Sequence, residues 1–487
     1  MNRNRKTYGT RLILWLLCGT MLLGVTACTS PDSPADGSDT QAAAPTEAPT
    51  DAPTEAPTEP ETMDPEEAAR LKEEAMKALY DSTEATLLPI GGFSTPSTEL
   101  RDHNTGVEGS YQAAWQLVAD AGLNYMITLE EWSSSYWIVE AIEAAQKAGV
   151  KLYYQGLDDP DRSIEFMKLM LESAGADAFA GIYLKDEPAY DDLDELGQHT
   201  QKVRDAMGDK QYPVFSNLLP TYAPETSVSS DYRDYVHQYI EKCKPDVLMF
   251  DYYPFAGGDT TPALIANNAC AMIEAKEAGI PVWTFVQSSG WGGFNEPNQY
   301  QIRLNANLNL AMGAKGLCYF VACEHYPNWS YTAMINADGK TTKLYDKVKT
   351  VNDELLAMKG VYLGYTCEGV MLVNYKNVDR YLPKTRSEEF ALESYGVVAS
   401  AAPESTGKFL IGCFTDGEGG TGYYVVNLDS KKSSSVTLTF ASDASGSYSL
   451  WTPAGVTDMG DVTADGTLTV ALDKGAGAFL RVAPQAN

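Results

Sequence analysis

Asp186-Glu187-Pro188 sets two carboxyl groups side by side at the end of the apolar run Gly181-Ile182-Tyr183-Leu184, where Pro188 turns the chain out of a strand. A pair like this can do acid–base work, because the charge of Asp186 raises the pKa of Glu187 towards a proton donor's range. Acid-assisted cleavage needs a second carboxyl as nucleophile or base. Asp251 is the favoured partner, then Glu324, with Glu130 and Glu131 behind them. Rings and amides stand at comparable positions: Trp132, Tyr154, Gln155, Asn217, Tyr253, Gln287, Trp291 and Trp329. Flat apolar rings beside carboxylates suit a sugar, whose ring faces present C–H groups and whose rim presents hydroxyls. The competing reading makes Asp186–Glu187 a solvated pair that merely caps the next helix.

These residues need a scaffold that gathers strand ends. Short β-branched or aromatic runs start at Leu87, Leu123, Val150, Phe179, Pro213, Val247, Val282 and Gly316. The starts are 36, 27, 29, 34, 34, 35 and 34 residues apart, close to one βα unit each. Amphipathic stretches lie between them, and Gly122, Gly149 and Gly279 stand where helices should stop. Eight alternations predict an α/β fold, a (β/α)8 barrel over residues 84–365, in preference to a doubly wound sheet. Its site should form at the C-terminal strand ends. After residue 365, Gly, Ser and Thr separate short alternating runs, which predicts an antiparallel β-sandwich over 366–487. A lead-in helix is expected over 63–83.

Composition excludes several classes. Of 487 residues, 36 are Lys or Arg and 66 are Asp or Glu, a formal charge of −30. No basic surface remains for phosphate, so a nucleic-acid partner is not expected. The four histidines and the lack of a CxxC pair argue against a zinc site. No GxGxxG or GxxxxGK[ST] loop is present, and no cofactor is called for. A peptidase or esterase lacks its G-x-S-x-G elbow. Scattered cysteines read as small buried thiols, with a Cys367–Cys413 bridge left open.

The N-terminus supplies an address. Arg3, Arg5, Lys6 and Arg11 precede the apolar run Leu12–Val25, the layout of a secretory signal over residues 1–27. Val25-Thr26-Ala27-Cys28 resembles a bacterial lipobox, which implies lipid attachment at Cys28 and a head displayed on the extracellular face of the cell membrane. Residues 29–67 hold eight prolines, eleven acidic residues and no Lys or Arg. The APTE/APTD repeats from Ala44 to Glu59 cannot bury a core, so 28–62 reads as an extended tether.

Asp-Glu-Pro ending the fourth of eight strands resembles clan A of the glycoside hydrolases, where the acid/base Glu often stands in Asn-Glu-Pro. Residues 217–226 (NLLPTYAPET), Asp251-Tyr252-Tyr253-Pro254-Phe255 and Gly313-Ala314-Lys315-Gly316 before Tyr319-Phe320 look like bacterial β-galactosidase-like barrel proteins. The likeness covers about residues 85–360, and the run from Gly475 to Leu480 is similar to the small β-domain such enzymes append. It implies a surface-anchored hydrolase of β-linked oligo- or polysaccharides with Glu187 as acid/base. The family's strand-seven Glu is replaced by Gln287, which cannot act as a nucleophile. That departure keeps open a non-catalytic carbohydrate-binding lipoprotein on the same barrel. It also keeps open a substrate-assisted route, in which Asp186 orients an N-acetyl group as in the hexosaminidases.

Overall fold

The structure, a computed structural model, describes residues 87–103, 109–129, 134–257, 261–358, 360–375 and 388–483. The expected signal peptide, Cys28, tether and lead-in helix lie outside them, as do Glu130, Glu131 and Trp132.

Eight strands form a closed parallel barrel in chain order, and β8 pairs back onto β1. They are β1 (Ile90–Phe93), β2 (Tyr125–Ile127), β3 (Lys151–Gln155) and β4 (Phe179–Asp186). β5 (Val214–Leu218), β6 (Leu248–Phe250), β7 (Val282–Gln287) and β8 (Gly316–Phe320) complete the ring. The longer helices that follow the strands are α1 (Tyr111–Asp120), α2 (Ser135–Ala148), α3 (Pro160–Glu172) and α4 (Leu193–Met207). Then come α5 (Tyr232–Cys243), α6 (Thr261–Ala278), α7 (Gln299–Ala311) and α8 (Lys343–Ala357). Gly149 ends α2 at φ 72°, a left-handed conformation that costs glycine nothing.

Alternation sorts each strand. Trp283 and Phe285 of β7 point into the barrel with Tyr125, Tyr153 and Phe215, whereas Val282 and Val286 face the helices. The lumen is therefore filled by rings: Tyr125 and Tyr153 lie 4.9 and 5.7 Å from Trp283, centroid to centroid. Gly91 and Gly316 leave the space these rings occupy, since a Cβ would fall 2.2 Å from Tyr125 and 2.7 Å from Trp283.

The C-terminal strands form two antiparallel sheets. The six-stranded one contains β9 (Thr366–Val373), β11 (Phe409–Thr415), β12 (Thr421–Asn427), β14 (Ser447–Thr452), β15 (Gly455–Asp461) and β17 (Gly477–Ala483). The other contains β10 (Val398–Pro403), β13 (Ser434–Phe440) and β16 (Thr467–Leu472). The near-continuous apolar runs of β11 and β12 follow from burial on both faces. Phe409, Ile411, Tyr423 and Val425 pack into the sandwich, while Leu410, Phe414, Tyr424 and Val426 join the barrel's outer core. Cys367 and Cys413 sit on neighbouring strands but remain thiols, because their register pairs Cys413 with Gly369.

Polar groups of α7 fasten the two parts. Tyr424 Oη donates to Asn307 Oδ1 at 2.9 Å, and Asn307 Nδ2 donates to the Gly475 carbonyl at 3.3 Å. At Gly412 a Cβ would stand 1.8 Å from the Ala311 carbonyl oxygen. Gly412→Ala is expected to force the sandwich off α7 and cost about 2–3 kcal/mol, seen as a lower urea midpoint.

Candidate active site

β4 carries the acid pair, and its register makes the pair usable. Strict alternation from the inward Tyr183 would turn Asp186 to the outer face. Pairing between β4 and β5 instead slips between Tyr183 and Asp186, so both share the inner side. Tyr183 Oη donates to Asp186 Oδ1, and Asn217 Nδ2 donates to the same oxygen at 3.3 Å. The next residue, Glu187, has φ 47°, a left-handed conformation that a non-glycine residue holds only at a cost of about 1 kcal/mol or more. Two contacts hold it there: its N–H bonds the Asn217 carbonyl at 2.9 Å, and Tyr235 Oη donates to the Pro188 carbonyl at 2.6 Å.

Asp251, just past β6, completes a carboxyl trio. It is 3% exposed, and its carboxyl faces that of Glu187 and the Asn217 amide. Burial first, then the charges of Asp251 and Asp186, pushes Glu187 up to about 10. Asp251 is pushed up to about 7 by burial and then by Asp186, against hydrogen bonds from Asn217 and Glu187 that pull it down. Burial also raises Asp186, opposed by its bonds from Tyr183 and Asn217. Asp186 has many protein neighbours yet remains exposed to solvent. Burial and mutual charge thus hold both Glu187 and Asp251 above the usual carboxylate range.

Other expected residues divide between the mouth and the frame. Gln155 sits at the barrel mouth, half-buried, with Oε1 lacking a hydrogen-bond partner among the described residues. Tyr253 packs 4.9 Å from Trp291 and 5.2 Å from Phe320, and feels all three carboxylates. Trp291 stacks on Phe294 at 4.5 Å, and Trp329 lies 4.7 Å from Tyr331. Tyr154 faces the other way. It is buried outside the barrel, 6.2 Å from Phe166 of α3, because the inward place on β3 belongs to Tyr153. Gln287 is fully buried and serves as a staple: Oε1 accepts from Phe255 N at 2.9 Å, and Nε2 donates to the carbonyls of Ser289 and Asn295. Glu324 braces the loop after β8 by accepting from Ala337 N at 3.0 Å, and it is not among the groups that shift the trio.

Tyr183, Tyr222 and Tyr331 escaped the sequence reading. Tyr222 lies on the loop after β5, 5.1 Å from Tyr252, and the charges of Asp251 and Glu187 reach its hydroxyl. Tyr183 was visible as an aromatic residue three positions before Asp186; nothing local marks the other two.

No protein-family model matches the chain, and no curated protein does. Among solved structures it is similar to an arabinofuranosidase from Xanthomonas axonopodis pv. citri (TM-score 0.42, 10% identity, 81% of this chain and 96% of that one). An α-galactosidase from Saccharomyces cerevisiae aligns with TM-score 0.43 and 10% identity over 83% of this chain and 99% of that one. A xylanase from Thermotoga petrophila aligns with TM-score 0.38 and 9% identity over 56% and 96%. Likeness at this level adds nothing to the fold already read from the strand pairing.

Proposed function

We propose that this chain is a glycoside hydrolase with Glu187 as general acid/base and Asp251 as its partner carboxylate, acting on a β-linked glycan from a lipid anchor at Cys28. The observation that carries the reading is the carboxyl trio at the C-terminal mouth of a closed barrel, walled by Tyr253, Trp291, Phe320 and Tyr331. Glu187 donates its proton to the glycosidic oxygen as the bond to the anomeric carbon breaks. Asp251 then supplies the negative charge that the resulting cation needs. The Glu187 and Asp251 carboxyls interact directly; carboxyls about 5–5.5 Å apart serve direct attack, whereas about 6.5–9.5 Å leaves room for an attacking water. Asp251 is accordingly assigned as nucleophile.

The test is reducing-sugar release from a panel of xylan, galactan, arabinan and glucan by the purified chain, with the first-formed anomer followed by NMR. Retained configuration is expected; inversion removes Asp251 from the nucleophile's role. A carbohydrate-binding protein without turnover is the second reading, and Gln287 favours it, being a staple where a carboxylate would otherwise stand. Binding to the panel with no release from any member would establish that reading instead.

A further inference from the structure

We infer that the loop after β8 forms a second sugar-binding station, so that the substrate is an uncharged oligosaccharide reaching well beyond the unit at Glu187. This rests on the glycan reading proposed above. Tyr326 is 46% exposed, with its ring 6.3 Å from Trp329, which in turn lies 4.7 Å from Tyr331. Tyr331 continues the series inward to Phe320 at 5.3 Å and Trp291 at 5.6 Å. Tyr253, two residues past Asp251, joins the same rings at 5.2 Å from Phe320 and 4.9 Å from Trp291, and the charges of Glu187 and Asp186 reach the Tyr331 hydroxyl. The rings thus run without a break from solvent to the reacting groups, in steps comparable to the length of a single pyranose unit.

The rings at the outer end are not displayed by accident of a loose loop. Ser97 Oγ donates to the His325 carbonyl at 3.1 Å on one side. On the other, Gly290 N donates to Thr332 Oγ1 at 3.0 Å, and Thr332 N donates back to the Gly290 carbonyl at 3.3 Å. Trp329 N closes a turn onto the Tyr326 carbonyl at 3.2 Å, and the His325 ring backs Trp329 at 5.7 Å. Both neighbouring loops and the Glu324 brace hold the platform before any ligand arrives, which lowers the entropic cost of binding. Tyr326 forms the exposed end of this series, with Trp329 and Tyr331 half-buried behind it. The chain carries a formal charge of −30 and three acidic side chains meet at the inner end of the ring series, so polyuronic or sulfated chains would be repelled.

The test uses the full chain carrying Glu187→Gln, titrated by tryptophan fluorescence with neutral xylo-, arabino-, galacto-, gluco- and manno-oligosaccharides from mono- to hexasaccharide, and with oligogalacturonides. Affinity for one neutral series should rise about tenfold or more with length. Adding Tyr326→Ala and Trp329→Ala should abolish most of that gain, whereas Trp329→Phe, which keeps a ring, should retain most of it. Affinity independent of length, with cleavage by the wild-type chain intact, overturns the station and leaves the hydrolase reading standing. Tighter binding of oligogalacturonides overturns the uncharged class. Failure to bind any series removes the glycan reading and this inference together.

Discussion

Glu187→Gln is expected to bind glycan as before and to turn it over about 10²- to 10⁴-fold more slowly, the usual contribution of a positioned general acid. The amide keeps the shape and the polar contact to Asp251 but has no proton to give. The size of the loss should depend on the leaving group. An aryl glycoside whose phenol departs without protonation should be hurt least, an oligosaccharide most. Asp251→Asn should cripple both equally, because its charge is needed whatever leaves. The pH profile supplies an independent check. With Asp251 pushed up to about 7 and Glu187 up to about 10, activity should rise through the first value as Asp251 ionises and fall through the second as Glu187 loses its proton. Glu187→Gln should erase the alkaline fall and keep the acid limb. Equal turnover by wild type and variant, or an unchanged alkaline limb, would take Glu187 out of the acid role.

Lys315→Met should destabilise the chain by about 2 kcal/mol or more without touching the site. Lys315, just before β8, is half-buried beside the segment that leads into β9. Its ammonium donates to the carbonyls of Tyr362 at 3.0 Å, Leu363 at 3.1 Å and Tyr365. The rings of Tyr362 and Phe414 lie 5.4 and 5.9 Å away. Burial pulls the group down to about 7, but three carbonyl acceptors call for three N–H donors, which only the charged form has. The carbonyl arrangement holds the ammonium. Methionine leaves the Leu363 and Tyr365 carbonyls without a donor, while the Tyr362 carbonyl keeps the Tyr365 N–H at 3.0 Å, at about 1–3 kcal/mol for each group lost. Urea unfolding of the two proteins measures the difference; midpoints within error of each other would mean that water replaces the ammonium freely.

The extent to which this protein was legible from its residues follows from the range of the forces involved. Period-two runs such as Val282–Gln287, spaced by helices with glycine stops, dictate a parallel strand-and-helix alternation, and eight of them close a barrel. Position in that ring also pointed to Asp186, Glu187 and Asp251 before any contact was known, because a parallel barrel brings all its strand ends to one face. Two C-terminal strands carry no hydrophobic alternation to mark them: β15 is an exposed, acidic segment, and β10 is built of small side chains. β10 is ordered by β13, well separated along the chain, whereas β15 is held by its hairpin partner β14.

Side-chain direction at the strand ends was decided by tertiary structure. The slip between β4 and β5 turned Asp186 inward against its parity, and a left-handed turn carried Glu187 to Asp251. Parity sent Tyr154 outward, while long-range hydrogen bonds made Gln287 a staple and Glu324 a brace. Residue type and spacing determine which groups can reach the barrel mouth, since they act through local propensity and burial. Which of those groups meet there depends on register and on partners up to 228 residues away, such as Ser97 and the His325 carbonyl, and these exist only once the ring has closed.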